Sequence, residues 1–256
     1  MPFTAKSGKF NASINVVEFG TGDKAVKIGG ENVFPLYSFD AAIENAPKVG
    51  IEITDFGMEH EPECIKKYYE GCATLADMAR KAASMEGVDF LSFRMEGGDP
   101  NGANKSTEEL IGELKEIADA VDLPLVVCGC KNVEKDAELF SKAAEALNGK
   151  NAVILSAKEE NYKTVGAAAG LAYKQIVGAE SAVDINLAKQ LNVLISQLGV
   201  DSKSVVMNVG SAAVGYGFEY VVSTMDRIKG AALSQNDNML QMPIITPVSS
   251  ETWGVK

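Results

Sequence analysis

Several apolar runs in this 256-residue chain end in side chains that could do chemistry: Asp55, Arg94 with Glu96, Cys128, Ser156 with Asn161, Asp184 with Asn186, and Asn208 with Ser211. Most of them are neutral hydrogen-bonders. General acid-base catalysis needs two carboxylates, or a histidine, set to different pKa values, and covalent catalysis needs a nucleophile beside its base. Neither pattern is recognisable in this set. A Schiff base would need a lysine at a strand end. Lys158, just after Ser156-Ala157, comes nearest and reads either as an anion holder or as a surface lysine.

Metal and thiol chemistry are thinly supplied. His60 is the single histidine, and Cys64, Cys72, Cys128 and Cys130 lack both the paired CxxC spacing of a zinc site and the close run of an iron-sulfur site. They read as reduced thiols, with Cys128 and Cys130 alone placed where a redox or metal role is conceivable.

Two loops carry most of the signal. The first follows the apolar run 88–93 and contains Arg94, Glu96, Asp99, Asn101 and Asn104 before Ser106-Thr107-Glu108-Glu109 opens a helix. Ser106 can cap that helix, and Glu109 can complete a capping box. A polar loop after a buried parallel strand is where α/β folds bind ligands, although a solvated loop with an internal Arg-Glu pair fits the same residues. The second loop, Asn208 to Phe218 (NVGSAAVGYGF), has three glycines that allow close backbone approach, and Tyr216 puts an aromatic face at its rim. It matches no phosphate loop, and reads either as a docking surface or as a turn set by backbone geometry.

The elements that must position these residues alternate. Strands are predicted over 49–56, 88–93, 125–128, 152–156, 176–183 and 205–209, with a seventh beginning at Met242-Pro243-Ile244-Ile245. Helices are predicted over 63–85, 106–121, 134–147, 162–173, 185–198 and 218–233. About seven strands and six helices in alternation imply a parallel sheet, and units of this length are those of a (β/α)8 barrel. An open doubly wound sheet fits the alternation too, but neither GxGxxG nor GxxxxGK[ST] is present. The expected fold is therefore an α/β, TIM-type barrel lacking its last units, either by truncation or by irregular closure. One domain covers 1–256: a β-hairpin with its lead-in over 1–47, beside or plugging the barrel, and β/α units over 48–256.

Composition bounds the partners. With 46% hydrophobic residues, a net charge of -11 and a start without an apolar leader core, the chain reads as a globular cytoplasmic protein that binds neither nucleic acid nor an anionic membrane.

Three stretches resemble a known family: DFLSFRMEGGDPNGANKSTEEL, SAKEENY after the fourth strand, and GYGFEYVVSTMDRIKGAAL followed by LQMPIITPVSSETW. They are similar to the small, or delta, subunit of the corrinoid iron-sulfur protein of the acetyl-CoA decarbonylase/synthase complex, from about residue 34 to residue 253. The resemblance implies a barrel of the pterin-binding methyltransferase kind that holds neither folate nor an iron-sulfur cluster or metal of its own. It implies pairing with a large subunit bearing the corrinoid and a [4Fe-4S] cluster. The corrinoid would lie between the two subunits and carry a methyl group from methyl-tetrahydropterin, by way of a methyltransferase, to CO dehydrogenase/acetyl-CoA synthase. This chain would hold and shield it, catalysing nothing itself. On that basis the residues expected to face the corrinoid or the partner are Arg94, Glu96, Asn101, Ser156, Asn161, Asn208, Ser211 and Tyr216. The family usually shows an acidic residue with hydroxyls where this chain has Asn208-Val209-Gly210-Ser211. The alternative from another class is a free-standing methyltransferase using methyl-tetrahydrofolate, with Asp55, Asn101, Asp184 and Asn208 edging the pterin.

Overall fold

A computed structural model describes residues 10–34 and 43–249. Six strands, β3 (Gly50–Thr54), β4 (Phe90–Arg94), β5 (Leu125–Cys128), β6 (Val153–Ala157), β7 (Ile176–Glu180) and β8 (Val205–Asn208), form one parallel sheet in sequence order. Preceding them, β1 (Val17–Phe19) and β2 (Val26–Ile28) pair antiparallel as a hairpin.

The continuous apolar runs follow from burial on both faces. One set of side chains, including Leu91, Phe93, Val127, Ile154, Val177, Val205 and Met207, packs outward in the main core with the helices. The alternate set, Val126, Cys128, Val153, Leu155, Ile176 and Val206, points inward and clusters with Val17, Phe19 and Val26 of the hairpin. Phe19 meets Phe90 edge-on at 5.6 Å, and Asn151 Nδ2 donates to Glu18 O at 2.9 Å. These inward contacts come mostly from the first residues of the strands. The hairpin therefore fills the amino-terminal end of the curved sheet and leaves the carboxyl-terminal end as a polar face.

The helices are α1 (Glu63–Tyr68), α2 (Leu75–Ala83), α3 (Thr107–Ala120), α4 (Val133–Ala146), α5 (Tyr162–Val165), α6 (Ile185–Gln197) and α7 (Phe218–Ser234). Four expectations need correction. The helix expected over 63–85 is two helices, because Gly71 turns left-handed at φ +87° and Thr74 opens α2 with a capping box to Asp77. At α3 only half of the expected box forms: Ser106 Oγ accepts from Glu109 N at 3.1 Å. The helix expected over 162–173 widens after α5 into a π-helical stretch, Gly166–Ala172. Strand β7 ends at Glu180 rather than at 183, since Ala182 and Val183 take positive φ of 45° and 66°.

The seventh strand is reduced to a single bridge. Met207 N donates to Pro243 O at 2.8 Å and Ile245 N donates to Met207 O at 2.9 Å. Pro243 and Pro247 lack the N-H groups that a longer ladder needs. Among the described residues no ladder joins this segment to β3, so the expected barrel is an incomplete ring with a seam. At the seam a largely apolar cleft of about 620 Å³ opens between β3, residues 242–249 and the Phe218, Val222 and Met225 side of α7. Across it, Ser249 Oγ donates to Glu52 Oε1 at 2.7 Å. No described helix is long and apolar enough to cross a membrane.

Candidate functional site

The carboxyl-terminal strand ends converge on a second cavity of about 380 Å³. Its floor is set by a pair that the parallel register dictates. Glu52 on β3 lies opposite Ser92 on β4, and Arg94 is one inward step further along β4. Arg94 Nε donates to Glu52 Oε1 at 2.9 Å and Nη2 donates to Oε2 at 2.8 Å, with the two side chains 8% and 10% exposed. This is a largely buried fork-to-carboxylate pair, in which each charge requires the other.

The remaining walls are also polar and also internally paired. Asn208, buried at the end of β8, donates through Nδ2 to Ser156 Oγ at 2.8 Å, while its Oδ1 accepts from Gly210 N at 2.9 Å. Lys158 Nζ lies 3.4 Å from Glu180 on the neighbouring strand. Asp136 turns to Cys130, accepting from its N at 2.7 Å and its Sγ at 3.2 Å. Burial raises the Asp136 carboxyl, and the bonds from Cys130 offset part of that rise. Ser211 Oγ lies on the same wall, buried and without a hydrogen-bond partner.

The expected site residues divide. Arg94, Ser156, Asn208 and Ser211 all line this cavity. Arg94 pairs with Glu52, not with Glu96. Glu96 is exposed beyond β4, and Asn101, also exposed, donates through its N and Nδ2 to Asp99 Oδ1 at 2.9 and 3.2 Å. Asn161 is buried away from the cavity in a local lock, accepting from Lys158 N and donating to Val133 O. Tyr216 is 87% exposed on the loop above, flanked by Val214 and Tyr220, which are 63% and 67% exposed.

Other strand-end candidates are occupied structurally. Asp55 accepts from Gly97 N at 3.0 Å and pairs with Lys105 at 3.1 Å, and a Cβ at Gly97 would collide with its carboxylate. Asp184 caps α6 through Asn186 N and Leu187 N. The four cysteines are free, Cys128 and Cys130 buried.

Sequence reasoning missed Glu52, Glu180 and Asp136. For Glu52 a signal was present: a charged residue in mid-run of an apolar strand needs a partner across the sheet. That partner lies 42 residues away and is found only once the register is known.

Arg94 and Lys158 are paired with Glu52 and Glu180, Asp136 is held by Cys130, and burial pushes the Cys128 thiol up to about 11, which keeps it un-ionised at neutral pH.

A family model described as CO dehydrogenase/acetyl-CoA synthase delta subunit matches residues 16–256. The acetyl-CoA decarbonylase/synthase complex subunit delta of Methanothermobacter thermautotrophicus is 32% identical over 241 residues, covering 93% of this chain and 61% of that protein. The corresponding subunit of Methanopyrus kandleri is 32% identical over 239 residues, covering 93% and 58%. Subunit delta 1 of Methanosarcina thermophila is 30% identical over 241 residues, covering 93% and 54%. The chain thus spans somewhat over half the length of these relatives. Among solved structures, a phosphoenolpyruvate phosphomutase from Streptomyces platensis subsp. rosaceus superposes with a TM-score of 0.44 at 16% identity, covering 83% of this chain and 78% of that one.

Proposed function

The chain belongs to the CO dehydrogenase/acetyl-CoA synthase delta subunit family, and from that membership we propose that it holds and shields a corrinoid shared with a large, corrinoid- and [4Fe-4S]-bearing subunit. On this reading it is a binding subunit in the cytoplasm, and methyl transfer from methyl-tetrahydropterin to acetyl-CoA synthase is the work of the assembly. When bound, the corrinoid supplies the methyl-carrying metal centre. This chain's residues bind, orient and exclude water.

The residues present fit such a group. The polar cavity is small, and beside it stands an exposed rim of Val214, Tyr216 and Tyr220. A broad ring lying across the strand ends would cover the cavity and meet that rim.

The observation that carries the reading against its rival is the dispersal of the pterin-edging quartet. A methyltransferase acting alone needs Asp55, Asn101, Asp184 and Asn208 around one pocket. Only Asn208 lines the cavity; Asp55 is locked beneath the Gly97 turn, Asn101 is on the exposed loop and Asp184 caps α6.

The test is co-expression with a corrinoid-bearing large subunit and gel filtration read at protein and corrinoid absorbance, with methyl-tetrahydrofolate calorimetry on this chain alone. Co-elution with corrinoid colour and no folate heat is the expected result. Solitary elution with micromolar folate binding would overturn it in favour of the methyltransferase.

A further inference from the structure

We propose that residues 246–249 form a latch, with Ser249 as its catch and Pro247 as its movable panel, and that releasing it joins the seam cleft to the upper cavity as one passage.

The two openings share a thin partition. Leu155 and Pro247 each line both of them. Glu52 and Ser92 face the seam cleft, while the side chains they touch, Arg94 and Cys128, face the upper cavity. The fork between Glu52 and Arg94 spans 2.8 and 2.9 Å, and Ser92 Oγ lies 3.5 Å from Cys128 Sγ. At Leu155 and Pro247 a single residue therefore separates the apolar space from the polar one.

The members of this partition differ in how they are held. Glu52, Ser92, Arg94, Cys128 and Leu155 belong to paired strands of the sheet and form a fixed frame. Pro247 stands outside those ladders, two residues past the bridge at which Ile245 N donates to Met207 O. Its ring nitrogen has no N-H to give a neighbouring strand. Thr246 Oγ1, beside it, is buried without a hydrogen-bond partner among the described residues, and opening would hydrate it. Ser249 is exposed, so its bond to Glu52 Oε1 at 2.7 Å competes with water. Opening also strands no charge, because both Glu52 oxygens stay on the Arg94 fork. The strap is thus held shut by a weak catch against a frame that does not need to move.

Labelling of the intact chain with N-ethylmaleimide, mapped thiol by thiol, tests the latch. Cys128 reports the partition, and Cys130, which packs with the helices in the outer core, reports loosening of the strand end after β5. Ser249→Ala is expected to speed Cys128 labelling about tenfold, with Cys130 labelling and the urea midpoint unchanged. Val222→Trp, which fills the cleft mouth from the α7 side, is expected to cancel that gain when combined with Ser249→Ala. Unchanged Cys128 labelling in Ser249→Ala would overturn the latch. Equal acceleration at Cys128 and Cys130 would overturn it as well, since the strand end rather than the strap has then opened. Acceleration confined to Cys128 but untouched by Val222→Trp would overturn the passage, because the reagent then enters from the upper cavity.

Discussion

Burial inside the curved sheet pushes the Cys128 thiol up to about 11, and burial beyond β5 pushes Cys130 up to about 12, whereas Cys64 is exposed on α1. A thiol reagent at about pH 8 should therefore label Cys64 in the native protein and reach Cys128 and Cys130 only on unfolding. The same burial makes stability depend on pH. The native state holds the Cys128 proton more tightly than the unfolded chain, whose thiol titrates near 9.0. The contribution is complete below that value and is lost as pH rises through about 11. Denaturation at about pH 7 and about pH 10.5 should show wild type losing more stability over that interval than Cys128→Ala. Backbone strain gives a second case. Ala182 sits at φ +45° on the rim of the upper cavity, so Ala182→Gly should stabilise the protein by about 1 kcal/mol in urea melts. At Gly97 the sign reverses: a Cβ there meets the Asp55 carboxylate, and Gly97→Ala should destabilise by about 1–3 kcal/mol.

At the scale of elements, the Ser106 cap on α3 should be worth about 1 kcal/mol, read as the loss in urea-melt stability of Ser106→Ala. That cap was legible in the sequence because its signal is local, a serine before an acidic turn. The six sheet strands were legible for a related reason, since each is buried on two faces and reads as an unbroken apolar run. The break between α1 and α2 was not. Gly71 lies within a pattern whose apolar spacing continues on both sides, and only the fold shows Thr74 and Asp77 closing a new cap. The site was half legible. Arg94, Ser156, Asn208 and Ser211 stand at or just past the ends of apolar runs and so announce themselves, whereas Glu52 lies in mid-strand and Glu180 inside the run expected to reach 183, and both take their meaning from neighbours across the sheet. Asn161 misled because a polar residue just past a strand end serves equally well as a loop lock.

For the molecule as a whole, the incomplete ring has a measurable signature. Asp55 N donates to Arg94 O, so by the alternation of a parallel ladder the Glu52 N-H turns to the seam; the Ile244 N-H likewise turns away from Met207. Hydrogen exchange at those two amides should be faster, by about a hundredfold or more, than at Val127 and Ile154 in the middle of the sheet. The plug at the other end should be costly to thin: Phe19→Ala, beneath Phe90, should lose about 3–5 kcal/mol. Between plug and polar face stands the Glu52 carboxylate, whose Oε1 is shared by Arg94 Nε and Ser249 Oγ. One oxygen atom is thus common property of the seam and of the upper cavity. The carboxylate that fixes the guanidinium at the upper cavity is therefore itself steadied from the seam, so the two openings of the protein share one anchor.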